Sequence, residues 1–157
     1  MIRVFVSIFF ILFCSVGRSM VDMDNLQNEN VYFPSGIKSG NFDRVDIIYI
    51  PSGMESVMRI DQVGLENSYL YKISMRQIKA TRYWSTLLKA LNETKINKAY
   101  KLKDLRSAIF IYYQNKKIVS IYYDESGNYG AINSIPVEFM GRGVYDWVDG
   151  NFLKVIK

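Results

Sequence analysis

Apolar and polar positions recur with two different periods along this chain, and the periods divide it into strands and one principal helix. Arg44 to Ile50 (Arg-Val-Asp-Ile-Ile-Tyr-Ile) is rich in β-branched residues and closed by Pro51-Ser52-Gly53, which predicts a strand. Met54 to Ile60 suits a second, shorter extended piece, and Asp61 to Asn67 reads as a turn. Tyr69, Tyr71, Ile73 and Met75 then alternate with Leu70, Lys72 and Ser74, the period of a half-buried strand. The period changes after Thr81, a suitable helix cap. Trp84, Leu87, Leu88 and Leu91 fall at the i, i+3, i+4, i+7 spacing of one helical face, with Arg82, Ser85, Lys89 and Asn92 directed elsewhere. Glu93 to Lys103 is basic and polar and predicts the helix end and a connection.

Strand signals dominate the C-terminal third of the chain. Arg106 to Gln114 and Ile118 to Asp124 flank the short turn Asn115-Lys116-Lys117 and predict a hairpin. Ser126-Gly127-Asn128 is a second tight turn. Tyr129 to Phe139 supplies a third strand of this meander, placed at an edge because Gly130 and Pro136 disturb it. Gly141 and Gly143 lead into a short terminal helix in which Val144, Trp147 and Val148 are spaced to pack on the sheet. The sum is an α+β fold in one domain: an antiparallel sheet of about four to six strands, one main amphipathic helix on one face, and a short C-terminal helix.

The first residues follow neither period. Arg3, the apolar run Val4 to Phe13, and small residues around Gly17 and Ser19 make the three-part pattern of a Sec-type signal peptide, residues 1–19. The run is shorter than the roughly 20 residues that span a bilayer. Cys14 offers a lipoprotein alternative, against which stands the bulky Phe13 before it. The expected location is therefore periplasmic or secreted. Residues 20–41 are polar and read as a flexible arm, in which Val31-Tyr32-Phe33 offers an edge contact, and residues 42–157 form the globular domain.

Composition narrows the chemistry. The chain has no His, and its one Cys, Cys14, lies inside the leader. The mature chain therefore lacks the residues for a disulfide, a Cys/His zinc site, a Ser-His-Asp triad or a Cys-His dyad. No metal or cofactor is called for, and the expectation is a protein that is not an enzyme. Asp124 and Glu125 at a hairpin turn, with Asp146 and Asp149 beyond, keep open a carboxylate-dependent enzyme acting on cell-wall glycans. The plainer reading of such an Asp is that it builds its own turn.

Charge is unevenly placed. Met20 to Tyr71 carries eight acids against three bases, Lys72 to Lys117 twelve bases against two acids, and Ile118 to Lys157 five acids against three bases. A basic middle between acidic ends can steer an anionic partner, though a solvated face explains such a run equally well. Asn92-Glu93-Thr94 matches an N-glycosylation acceptor, meaningful only in a eukaryotic source.

These features point to an exported, non-enzymatic binding protein, best read as an inhibitor or immunity protein that blocks a partner toxin or hydrolase. Its candidate partner-binding residues are Arg76, Arg82, Lys89, Tyr113 and Tyr123, basic side chains and tyrosines that bring large contact area at low entropic cost. Ordinary cross-strand pairing is the alternative reading of the tyrosines. Anionic envelope lipid is a further partner for the Lys72 to Lys117 block. Nucleic acid is disfavoured by export and by the lack of a Gly-rich phosphate loop.

Overall fold

The structure, a computed structural model, describes residues 32–51, 53–54, 56, 58–76 and 82–153. The leader, Cys14, Val31, Thr81 and most of the expected arm lie outside the described residues. The elements run β1 (Arg44–Tyr49), α1 (Gln62–Ser68), β2 (Tyr71–Arg76), α2 (Arg82–Glu93), β3 (Ile96–Lys98), β4 (Leu105–Tyr113), β5 (Lys116–Asp124), β6 (Tyr129–Ile132), β7 (Ile135–Phe139) and α3 (Gly143–Asn151). The class is α+β, and the sheet has seven strands in the order β2-β1-β4-β5-β6-β7-β3. Every pairing is antiparallel.

The strand count exceeds the expected four to six for two local reasons. Tyr129 to Phe139 is two strands, because Asn133 and Ser134 adopt positive φ (48° and 75°) and close a two-residue hairpin between β6 and β7. Ile96–Lys98 pairs with β7 although only Ile96 is buried, so no alternation marked it within a basic stretch. In consequence β7 is not an edge: it lies between β6 and β3, and the Pro136 carbonyl accepts from the Ala99 amide at 3.1 Å. The expected turn at Asp61 to Asn67 is instead α1. Asp61 caps it by accepting from the Gly64 amide at 2.7 Å, and the helix buries only Leu65, too little to print a stripe.

The sheet is covered on both faces. One face packs Val45, Ile47, Ile109, Ile111, Ile121 and Val137 beneath Trp84, Leu87 and Leu91 of α2 and Val144, Trp147 and Val148 of α3. Each large side chain so buried contributes about 1.5–3 kcal/mol. The two helices are tied where the Trp147 indole N–H donates to Thr86 Oγ1 at 3.0 Å. Tyr32, Phe33 and Ile37 join this core, so the packed region begins earlier than the expected Phe42. The other face packs Ile48, Ala108, Phe110, Tyr122 and Ala131 against Leu65 of α1, Ile60 and Leu102.

Candidate binding surface

Two-sided coverage decides where the expected partner-binding residues lie. Tyr123 is buried, 1% exposed, with its ring 4.3 Å from that of Phe139 and 5.6 Å from that of Tyr145. It offers no surface, which corrects its reading as a contact residue. Its neighbour Tyr122 is buried on the opposite face, and Tyr49 is buried as well. Alternation puts one tyrosine of a pair in solvent only when one face of the sheet is bare. Here neither is bare at β5.

Tyr113 is exposed and lies beside the β4–β5 turn, at the same end of the sheet as Arg76. Arg76 shares an open hollow there with Asp43, Arg44 and Asn115. Arg82 and Lys89 project from the exposed face of α2, seven residues apart and so about two turns, or roughly 10 Å. Lys89 pairs with Glu93 at 3.7 Å. The candidates therefore divide among one sheet end, one helix face and the core, rather than forming one patch.

Four of the twelve bases of the Lys72 to Lys117 block, Lys72, Lys89, Arg106 and Lys117, are ion-paired among the described residues. Lys72 meets the buried Asp46 at 3.3 Å, and Lys117 meets Glu66 at 3.4 Å. Arg106 pairs with Asp104, while Arg44 stacks on Tyr112 with its guanidinium 3.8 Å from the ring centre. A different group stands out at the β3 edge. Lys95, Lys98 and Lys101 are exposed and form no ion pair among the described residues. Lys103 stands beside them with its ammonium 5.1 Å from the Tyr129 ring centre.

Tyr100, 94% exposed, projects from the middle of these lysines. Beside it is a notch of about 310 Å³ walled by Ala99, Tyr129, Lys98 and Lys103. Its one carboxylate, Glu138, is engaged by the Tyr129 hydroxyl and lifts that phenol above its ordinary value. The edge of the sheet thus presents an aromatic ring, a notch and a group of lysines with no ion pair among the described residues. The signal was present in the sequence as Lys-Ala-Tyr-Lys-Leu-Lys, residues 98–103. It reads as a polar linker until β3 is known to close the sheet there.

The carboxylate cluster resolves differently. Asp124 accepts from Ser126 Oγ at 2.9 Å and from the amides of Asn128 and Tyr129 at 3.1 and 3.2 Å. It builds its turn. Asp146 pairs with Arg142 at 3.1 Å on the surface of α3. No group of three or more metal-ligating side chains occurs among the described residues, and no described helix is long and apolar enough to cross a membrane. Comparison with known protein families, characterised proteins and solved structures finds no match.

Proposed function

We propose that this chain is an exported, non-enzymatic binding protein that docks an acidic protein partner on its β3 edge, in the manner of an inhibitor or immunity protein. The leader pattern of residues 1–19 supports export. The observation that carries the binding reading is Tyr100, fully presented among Lys98, Lys101 and Lys103 at an open sheet edge. An exposed aromatic anchor beside a notch is the arrangement of an interface hot spot, and lysines with no ion pair among the described residues raise the rate of encounter with an acidic surface. The outer edge of β3, which no described strand pairs, adds main-chain donors and acceptors for an extended partner segment. Inhibition of this kind needs shape and charge and no chemistry of its own, which suits a chain lacking His and with its only Cys in the leader.

The test compares two baits in parallel, the chain from Met20 onward and the same chain carrying Lys98→Glu and Lys101→Glu. Both are exposed to envelope and secreted fractions of the source cells. A stoichiometric protein retained by the first bait, lost by the second and released by salt supports the reading. A partner held equally by both baits overturns it, as does retention of lipid or glycan alone.

A further inference from the structure

A second site lies on the opposite side of the molecule from α2 and α3, and it is independent of the lysine edge. The sheet face beneath α1 is covered in two pieces, by α1 over β4 and β5 and by the β3–β4 connection, whose Leu102 packs on the same face. Between α1 and the β6–β7 turn remains an open cleft of about 500 Å³. That volume falls within the range of small-molecule sites, about 300–1,000 Å³.

Its walls are polar but electrically balanced. The Tyr122 hydroxyl donates to the Glu66 carboxylate, which also meets the Lys117 ammonium at 3.4 Å. Burial, and next the bond to Glu66, push the Tyr122 phenol above its ordinary value, so it remains a neutral donor. Around this pair stand the amides of Gln62 and Asn67 and the hydroxyl of Ser134. The Gln62 amide nitrogen is sealed from solvent and has no acceptor among the described residues. Val63, 68% exposed, adds an apolar rim beside these groups.

We infer that this cleft binds a neutral polyhydroxylated ligand, a saccharide. An anion drawn to Lys117 would meet the Glu66 carboxylate beside it, and a cation drawn to Glu66 would meet the Lys117 ammonium, so the pair gives neither a net attraction. A sugar uses that pair as it stands, because its hydroxyls both accept from Lys117 and the amides and donate to Glu66. Its C–H faces fit an aliphatic rim such as Val63.

The experiment is an amide NMR titration of the chain from Met20 onward with glucose, galactose, mannose, N-acetylglucosamine and their disaccharides. The expected result is saturable shifts at residues 62–67, 117–122 and 133–134 for at least one sugar, with a millimolar dissociation constant. Asn67→Ala, at an exposed position, should weaken that binding at least tenfold while leaving the spectrum folded. Gln62→Ala should do the same, and Lys98→Glu with Lys101→Glu should leave it unchanged, which separates this site from the lysine edge. Three results overturn the inference: no saturable shift with any of these sugars, binding that survives Asn67→Ala and Gln62→Ala, or shifts at the cleft produced by glycine or glutamate in place of the sugars.

Discussion

The ring of Tyr123 on β5 lies 4.3 Å from that of Phe139 on β7, inside the core beneath α3, and the Tyr123 hydroxyl is sealed there without a hydrogen-bond partner among the described residues. The ring belongs in this position and the oxygen does not. Tyr123→Phe keeps the stacking and removes an unsatisfied polar atom, a change that is neutral or favourable. The expected outcome at pH 7 is a gain of about 0–1 kcal/mol in urea denaturation, with no change in the slope of the transition. A loss beyond about 1 kcal/mol would show that the hydroxyl has a partner in solution.

The same residue fixes the response to alkali. Burial, with a smaller contribution from Asp146, raises the Tyr123 phenol above its ordinary 10.0, and burial likewise raises Tyr122. The folded protein therefore keeps these protons at a pH where the unfolded chain has released them. Their stabilising effect is complete below pH 10 and is lost as pH rises above it, by up to about 1.4 kcal/mol per pH unit for the buried Tyr123 and by less for Tyr122, which borders the open cleft and is screened by solvent. Tyr123→Phe should make the decline above pH 10 shallower by about that amount. Urea titrations at intervals between about pH 9 and 12 check it, and parallel curves for the two proteins would contradict it.

Asp124 is expected to matter for folding rather than for turnover. Its carboxylate gathers the Ser126 hydroxyl and the Asn128 and Tyr129 amides at the β5–β6 turn. Asp124→Ala removes the acceptor for all three and should cost about 1–3 kcal/mol. Asp124→Asn keeps one acceptor oxygen and should lose about half as much. Thermal unfolding of the three proteins gives the order directly. Equal stability of all three would return the carboxylate to consideration as a functional group.

Gly130 is a packing constraint in the adjoining strand. A methyl group built on it would overlap the Tyr122 carbonyl oxygen, and backbone at the centre of a sheet cannot move aside. Gly130→Ala should destabilise by about 3 kcal/mol or fail to fold. Recovery of a soluble protein with an unchanged melting temperature would mean that β5 and β6 are spaced more widely than their pairing implies.

How much the residues disclosed in advance depended on how local the determining interaction was. The α2 stripe of Trp84, Leu87 and Leu91 stands where the pattern places it, and the β4–β5 hairpin forms as expected except at its turn, which is Gln114-Asn115 with positive φ at both, so that Lys116 and Lys117 belong to β5 rather than to the expected Asn115-Lys116-Lys117 turn. β3 was hidden because its identity as a strand comes from β7, some forty residues downstream. The burial of Tyr123 was hidden because it needs α3 and Phe139 as well as its own strand. The lysine edge obeys the same rule. Twelve bases between Lys72 and Lys117 were countable, but which of them lack carboxylates depends on partners as distant as Glu66 for Lys117 and Asp46 for Lys72.

That selection makes the edge separable from the fold by mutation. Lys98 and Lys101 are exposed, and Tyr100 has almost no contact with the rest of the molecule at 94% exposure. Lys98→Glu with Lys101→Glu, and Tyr100→Ala alone, should each leave stability within about 0.5 kcal/mol of the parent. Their effects on an acidic partner should differ in kind. The charge reversal acts on encounter, slowing association by about tenfold or more at low salt, with the difference shrinking as ionic strength approaches about 0.5 M. Tyr100→Ala acts on the formed complex, speeding dissociation with little effect on association, as the loss of an anchor does. Surface plasmon resonance over a salt series resolves the two rates. An association rate indifferent to Lys98→Glu with Lys101→Glu, or a dissociation rate indifferent to Tyr100→Ala, would remove the β3 edge from the interface.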